Sequence, residues 1–151
     1  MKLAFYSIFF ISVLASCGNP ADPGLKSGET SETESKRIKL STADLFDGEK
    51  VRLFLFQNPE VNPESNKLFL NALDEFKNKK NLQAASEGFK ASITEYPNSK
   101  SYYELGNVYM EMKNYQGALD AYSLAEKLGY EPFSKVLFNV ACAHSQLKNY
   151  P

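Results

Sequence analysis

One histidine, two cysteines and no tryptophan stand among the 151 residues. His144 alone satisfies no metal motif that needs two histidines. Cys17 and Cys142 are too few for a disulfide scaffold or a structural zinc site. Neither sign of charge is in excess, since 17 basic residues face 18 acidic ones for a net charge of −1. Binding through nucleic-acid phosphates needs a basic surplus, so no nucleic-acid partner is expected. G-x-G-x-x-G, Walker and G-x-S-x-G patterns are all missing. Cys142 and His144 lie two residues apart, which on a helix aims them in different directions. No catalytic residue, cofactor or metal site is therefore expected. What is present is a 43% hydrophobic content, enough for most of the chain to fold.

The N-terminus is organised differently from the rest. Lys2 precedes an uncharged apolar run, Leu3 to Ala15, and the chain turns polar after Ser16–Cys17. Thirteen apolar residues fall short of the roughly 20 that cross a bilayer, so the pattern reads as a secretory signal. Leu14-Ala15-Ser16-Cys17 resembles a bacterial lipobox. That resemblance implies that residues 1–16 are a lipoprotein signal peptide, removed to leave an acylated Cys17 that anchors the protein to a membrane. Two or more acyl chains hold stably where one does not. The other reading is ordinary secretion with Cys17 a plain thiol. Gly18, in the place where an Asp resembles an inner-membrane retention signal, leans towards the outer membrane. The expected location is the bacterial cell envelope.

Residues 17–37 read as a flexible tether. Leu25 is the one large apolar residue between 18 and 36, too little to offset chain entropy. Its root-mean-square span is about 25 Å. Residues 38–61 are ambiguous. Ser41-x-x-Asp44 resembles a capping box that starts a helix, while Lys50 to Phe56 suits a strand equally by composition. A lone strand would leave its edges unpaired, so a helix from Ser41 is expected, forming an N-terminal cap and ending at Asn58-Pro59.

Residues 62–151 carry an internal period. Tyr102-x-x-Leu105-Gly106-x-x-Tyr109 is followed by Ala118-x-x-x-Tyr122-x-x-Ala125. Phe76, Asn81, Ala85 and Phe89 lie 33 residues before Tyr109, Asn114, Ala118 and Tyr122. Val140, Ala141, His144, Asn149 and Tyr150 lie 35 after Leu105, Gly106, Tyr109, Asn114 and Tyr115. Ala118, Ala121, Tyr122 and Ala125 share one helical face. Asn81, Asn114 and Asn149 each suit the N-cap of a second helix. Asn62-Pro63 opens the first helix, and Gly129 with Pro132 closes the central unit. Helices are expected over 63–79, 82–95, 99–112, 115–128 and 134–148. In the first unit Leu73 stands where Gly106 predicts a small residue, and Ser92 replaces the second alanine. The third unit reaches only the start of its second helix at Tyr150-Pro151. Its first helix is apolar nearly all round and needs cover on more than one side. A truncated fragment and a helix that docks on a partner or a second copy are the two readings.

These motifs resemble the tetratricopeptide repeat family. The resemblance implies an all-α, α–α superhelix of about two and a half repeats, near 66–98, 99–133 and 134–151. It further implies a concave groove lined by the first helix of each unit, binding an extended peptide or a partner helix. Carried over by position, the groove comprises Asp74, Lys77, Asn78, Tyr103, Asn107, Met110, Glu111, Asn139 and Ser145. In co-chaperone members, asparagines placed like Asn107 and Asn139 help grip a C-terminal carboxylate; here Tyr103 replaces the first lysine. The alternative for Asn139 is a bond to the helix-turn backbone. The expected role is a membrane-anchored interaction scaffold with a protein or peptide ligand, in envelope assembly or secretion. Alternatives are an oligomeric structural subunit that self-associates through its last helix, and an accessory part of a larger enzyme.

Overall fold

The computed structural model describes residues 38–148. The expected signal peptide, Cys17, the whole tether and residues 149–151 lie outside the described residues. Six helices follow one another: α1 (Gly48–Gln57), α2 (Pro63–Lys77), α3 (Leu82–Glu95), α4 (Ser99–Glu111), α5 (Tyr115–Lys127) and α6 (Phe133–Gln146). No strand occurs among the described residues. The last five helices match the expected spans to within two residues at each end. Asparagine accounts for most of that agreement. Asn62, Asn81, Asn98 and Asn114 each accept a hydrogen bond from a backbone N–H in the first turn of the helix they precede, satisfying donors that have no partner inside the helix. The turns out of α2 and α4 are also copies, with Lys80 and Lys113 in the left-handed region at φ 57° and 61°. Gly129 ends α5 at φ 74°, whereas Pro132 does not close that helix but precedes α6.

Packing follows the repeat. α2 lies on α3 and α4 on α5, while α3–α4 and α5–α6 join consecutive units. Phe89, Ile93, Tyr102, Leu105, Val108 and Tyr122 are fully buried between them. In the second unit the close approach is made by Gly106, where a Cβ would run into the Tyr122 ring. The first unit keeps its close approach despite Leu73, by moving the small residue to the other helix: a Cβ on Gly88 would stand 2.8 Å from the Ala72 Cβ. Ser92 does more than replace an alanine. Its hydroxyl donates to the Ser65 carbonyl at 2.8 Å and lies 2.9 Å from the Ser101 hydroxyl, while the Ser65 hydroxyl donates to the Tyr96 carbonyl at 3.1 Å. Three buried serines thus pin α2, α3 and α4 together, and no buried side-chain polar atom among the described residues lacks a partner.

Residues 38–57 differ from expectation. The helix begins at Gly48, not Ser41, because Asp47 is the better cap: its carboxylate accepts from the N–H groups of Glu49 and Lys50. The Ser41–Asp44 bonds form, yet they close a turn. Lys50 to Phe56 is helical, not a strand. Instead of covering the end of the stack, this segment straps across the ends of α3 and α5. Phe54 meets Tyr96 edge-on, Gly48 lies beside Leu124, and the Tyr102 hydroxyl donates to the Leu45 carbonyl. Leu45 and Val51 are buried by it.

Candidate interaction face

The first helices of the units, α2, α4 and α6, form one face, with α4 touching both neighbours. Its centre is a hydrogen-bonded patch rather than a set of free side chains. Tyr103 is only 8% exposed. Its ring stacks on Tyr130 at 4.0 Å and 13°, and lies 5.8 Å from Tyr122. The Tyr122 hydroxyl donates to Asn107 Oδ1 at 2.9 Å. From α6, Asn139 Nδ2 donates to that same oxygen at 2.9 Å and to the Tyr103 hydroxyl at 3.1 Å. Asn107 Nδ2 donates to Glu104, whose carboxylate pairs with Lys77 of α2 at 3.2 Å. Burial raises the pKa of the Tyr122 phenol, with a smaller contribution from Tyr103, so it stays a neutral donor. The chain Lys77–Glu104–Asn107–Asn139 therefore ties three helices into a fixed surface.

Asn139 matches neither of its two expected roles directly: it bonds side chains of α4, not a turn backbone. This arrangement leaves little for gripping a carboxylate. Both Asn139 N–H groups and one of Asn107 are already used, and Glu104 adds a negative charge beside them. The other positions carried over from the resemblance sit around this centre. Asp74 accepts from Asn78 at 2.7 Å and pairs with Lys79, and both interactions lower its pKa, the Asn78 bond most. Asn78 caps the end of α2. Met110 is half-buried against the core, and Glu111 and Ser145 are exposed at the far ends of α4 and α6.

Two exposed apolar side chains stand outside the groove positions that the resemblance implies. Leu70 of α2 is 55% exposed and Phe138 of α6 is 68% exposed. They lie 33 residues before and 35 after Tyr103, so the repeat register that located the helices could also have found them. α6 has a second open side. Leu137, Ala141 and His144 are exposed, although they stand in register with Tyr102, Gly106 and Tyr109, which are buried in α4. Among the described residues no cluster of His, Cys, Asp and Glu could hold a metal ion, and no helix is long and apolar enough to cross a membrane.

Residues 99–130, which span α4, α5 and the turn after them, match the family model of the tetratricopeptide repeat. That segment is thus similar to a tetratricopeptide repeat. No curated protein and no solved structure matches the chain. Tetratricopeptide repeats are typically all-helical scaffolds for protein–protein interaction.

Proposed function

We propose that the chain is a membrane-anchored bacterial lipoprotein that holds a protein or peptide partner on the α2–α4–α6 face, in the service of envelope assembly or secretion. The binding half rests on one observation above all. Exposed Leu70 and Phe138 flank a Tyr103–Asn107–Asn139 centre whose side chains are already locked, so little ordering entropy is lost when a partner covers them. The anchoring half rests on the Leu14-Ala15-Ser16-Cys17 motif behind its apolar run.

The halves are tested separately. Expression in a bacterium followed by intact mass measurement should find residues 1–16 gone and Cys17 carrying acyl chains; an unmodified cysteine overturns the anchor. Crosslinking from membranes should capture a distinct protein with the parent chain and lose it with Leu70→Asp plus Phe138→Asp. These exposed positions are better probes than Tyr103 or Asn107, whose loss would loosen α4 from α6. Capture unchanged by the double variant overturns the assignment of the face. The open side of α6 favours a second reading, a subunit that associates with copies of itself through Leu137, Ala141 and His144. Sedimentation as a monomer across a hundredfold range of concentration removes it.

A further inference from the structure

Three lysines share one register of the repeat, and nothing described so far uses them. Lys67, Lys100 and Lys135 are spaced by 33 and 35 residues. Each lies one helical turn before a member of the Leu70, Tyr103, Phe138 row, so each side chain stacks next to its apolar neighbour on the same stripe. All three lysines are exposed. Lys67 pairs with Glu64 at 3.2 Å and 70% side-chain exposure, an interaction of little strength. Neither Lys100 nor Lys135 has an ion-pair partner among the described residues. α2, α4 and α6 run in the same direction, so the lysines sit with three helix N-termini, where the peptide dipoles add positive potential.

A depression lies at the same edge. Val61, Ser65, Asn66, Phe69, Asn98 and Lys100 wall a hollow of about 280 Å³ between the N-terminal turns of α2 and α4. Its walls are mainly apolar and Lys100 stands at its rim. The edge thus combines a row of cations, two exposed apolar side chains, Leu70 and Phe138, flanking the edge of Tyr103, and a hollow with room for a side chain.

Resting on the binding face assigned above, we propose that its ligand is an extended acidic segment with an apolar side chain at every third position, each beside a carboxylate. The spacing follows from geometry. Packed helices stand about 8–10 Å apart, and an extended polyproline-type chain advances about 9 Å in three residues. A ligand crossing α2, α4 and α6 in that form meets exposed Leu70 and Phe138 on either side of the small exposed edge of Tyr103 and offers its carboxylates to Lys67, Lys100 and Lys135. A basic segment would meet three like charges along the same path.

The test uses the full purified chain and three fluorescein-labelled peptides: four repeats of Glu-Phe-Ser, of Lys-Phe-Ser and of Glu-Ser-Ser. Fluorescence anisotropy at low salt should give saturable binding of the first alone, weakening at least tenfold with Lys100→Glu plus Lys135→Glu and again with Phe138→Ser. Raising the salt should weaken it too, since exposed charges are screened. All three substitutions lie on exposed positions, and an unchanged circular dichroism spectrum confirms that the variants remain folded. If Phe138→Ser abolishes binding while the lysine reversals do not, or if the basic peptide binds as tightly, the acidic ligand class is overturned and the binding face stands. If the acidic peptide binds and none of the substitutions matters, the face falls as well. No binding of any peptide overturns the proposed spacing and charge together.

Discussion

Replacing Gly106 by alanine sets two effects of opposite sign against each other. Alanine is the better helix former by about 0.8–1 kcal/mol, and on an exposed helix that gain would prevail. At this position the added Cβ would stand 2.6 Å from Cδ1 and 2.9 Å from Cζ of Tyr122, well inside ordinary contact. The ring cannot retreat. It is fully buried, Tyr103 lies 5.8 Å away, and its hydroxyl is held by Asn107 at 2.9 Å. Forcing a methyl into a filled core costs about 1–3 kcal/mol, and a displaced ring gives up a hydrogen bond of about 1 kcal/mol. The expected net loss is about 1–3 kcal/mol, a fall in Tm of about 5–15 °C for a domain near 100 residues. Thermal and urea unfolding followed by far-UV circular dichroism measure it. Tyr122→Leu should lose stability alone yet recover part of it in the Gly106→Ala background, giving a non-zero coupling in the double-mutant cycle. A Gly106→Ala protein as stable as the parent would show that helix propensity wins, and would refute the seating of the ring.

Three further outcomes follow from the same contacts. Ser92→Ala removes the buried hydroxyl that links Ser65 and Ser101 and should cost about 1–3 kcal/mol by urea titration; a cost near zero would mean the serine cluster holds nothing. The Lys50 contact, then the Ser41 hydroxyl and N–H, hold the Asp44 carboxyl down to about 2. The contribution of this clasp is therefore complete above the ordinary carboxylate range and fades as the pH falls from about 4 towards 2. Amide protection factors in residues 41–50, corrected for the intrinsic pH dependence of exchange, should fall across that interval in the parent and not in Asp44→Asn. At the alkaline end, burial raises the pKa of the Tyr102 phenol, so stability should be intact below the unfolded tyrosine value of about 10 and decline as the pH rises past it. Tyr102→Phe should flatten part of that decline in Tm, and an identical slope in both proteins would count against the burial argument.

The five repeat helices were legible because their signals are local and recurrent. An asparagine cap acts within three residues of itself, and three copies at 33–35 spacing fix the phase. α1 was misread at its start for an instructive reason. The Ser41–Asp44 bonds are real, but a short-range bond of that kind closes a turn as readily as it starts a helix, and Asp47 offered two acceptor contacts six residues later. The locked centre of the face was beyond the sequence. Asn139 meets Tyr103 and Asn107 across 36 and 32 residues, so whether an asparagine there is free or engaged depends on the stacking angle of two units. The serine cluster was hidden likewise, since Ser65 reaches Ser92 across 27 residues. Leu73 raised a doubt that only tertiary packing resolves, because the small residue the fold requires stands on the opposite helix as Gly88.

The strap formed by residues 38–57 changes how mechanical load would enter the molecule. A pull exerted on the chain ahead of residue 38 would not first peel away the terminal helix α2. It would reach the stack at the Leu45 carbonyl on Tyr102 and at Phe54 against Tyr96, in the middle of the helical array. Tension would thus be shared between two neighbouring units, and the strap would have to tear off before either was unravelled.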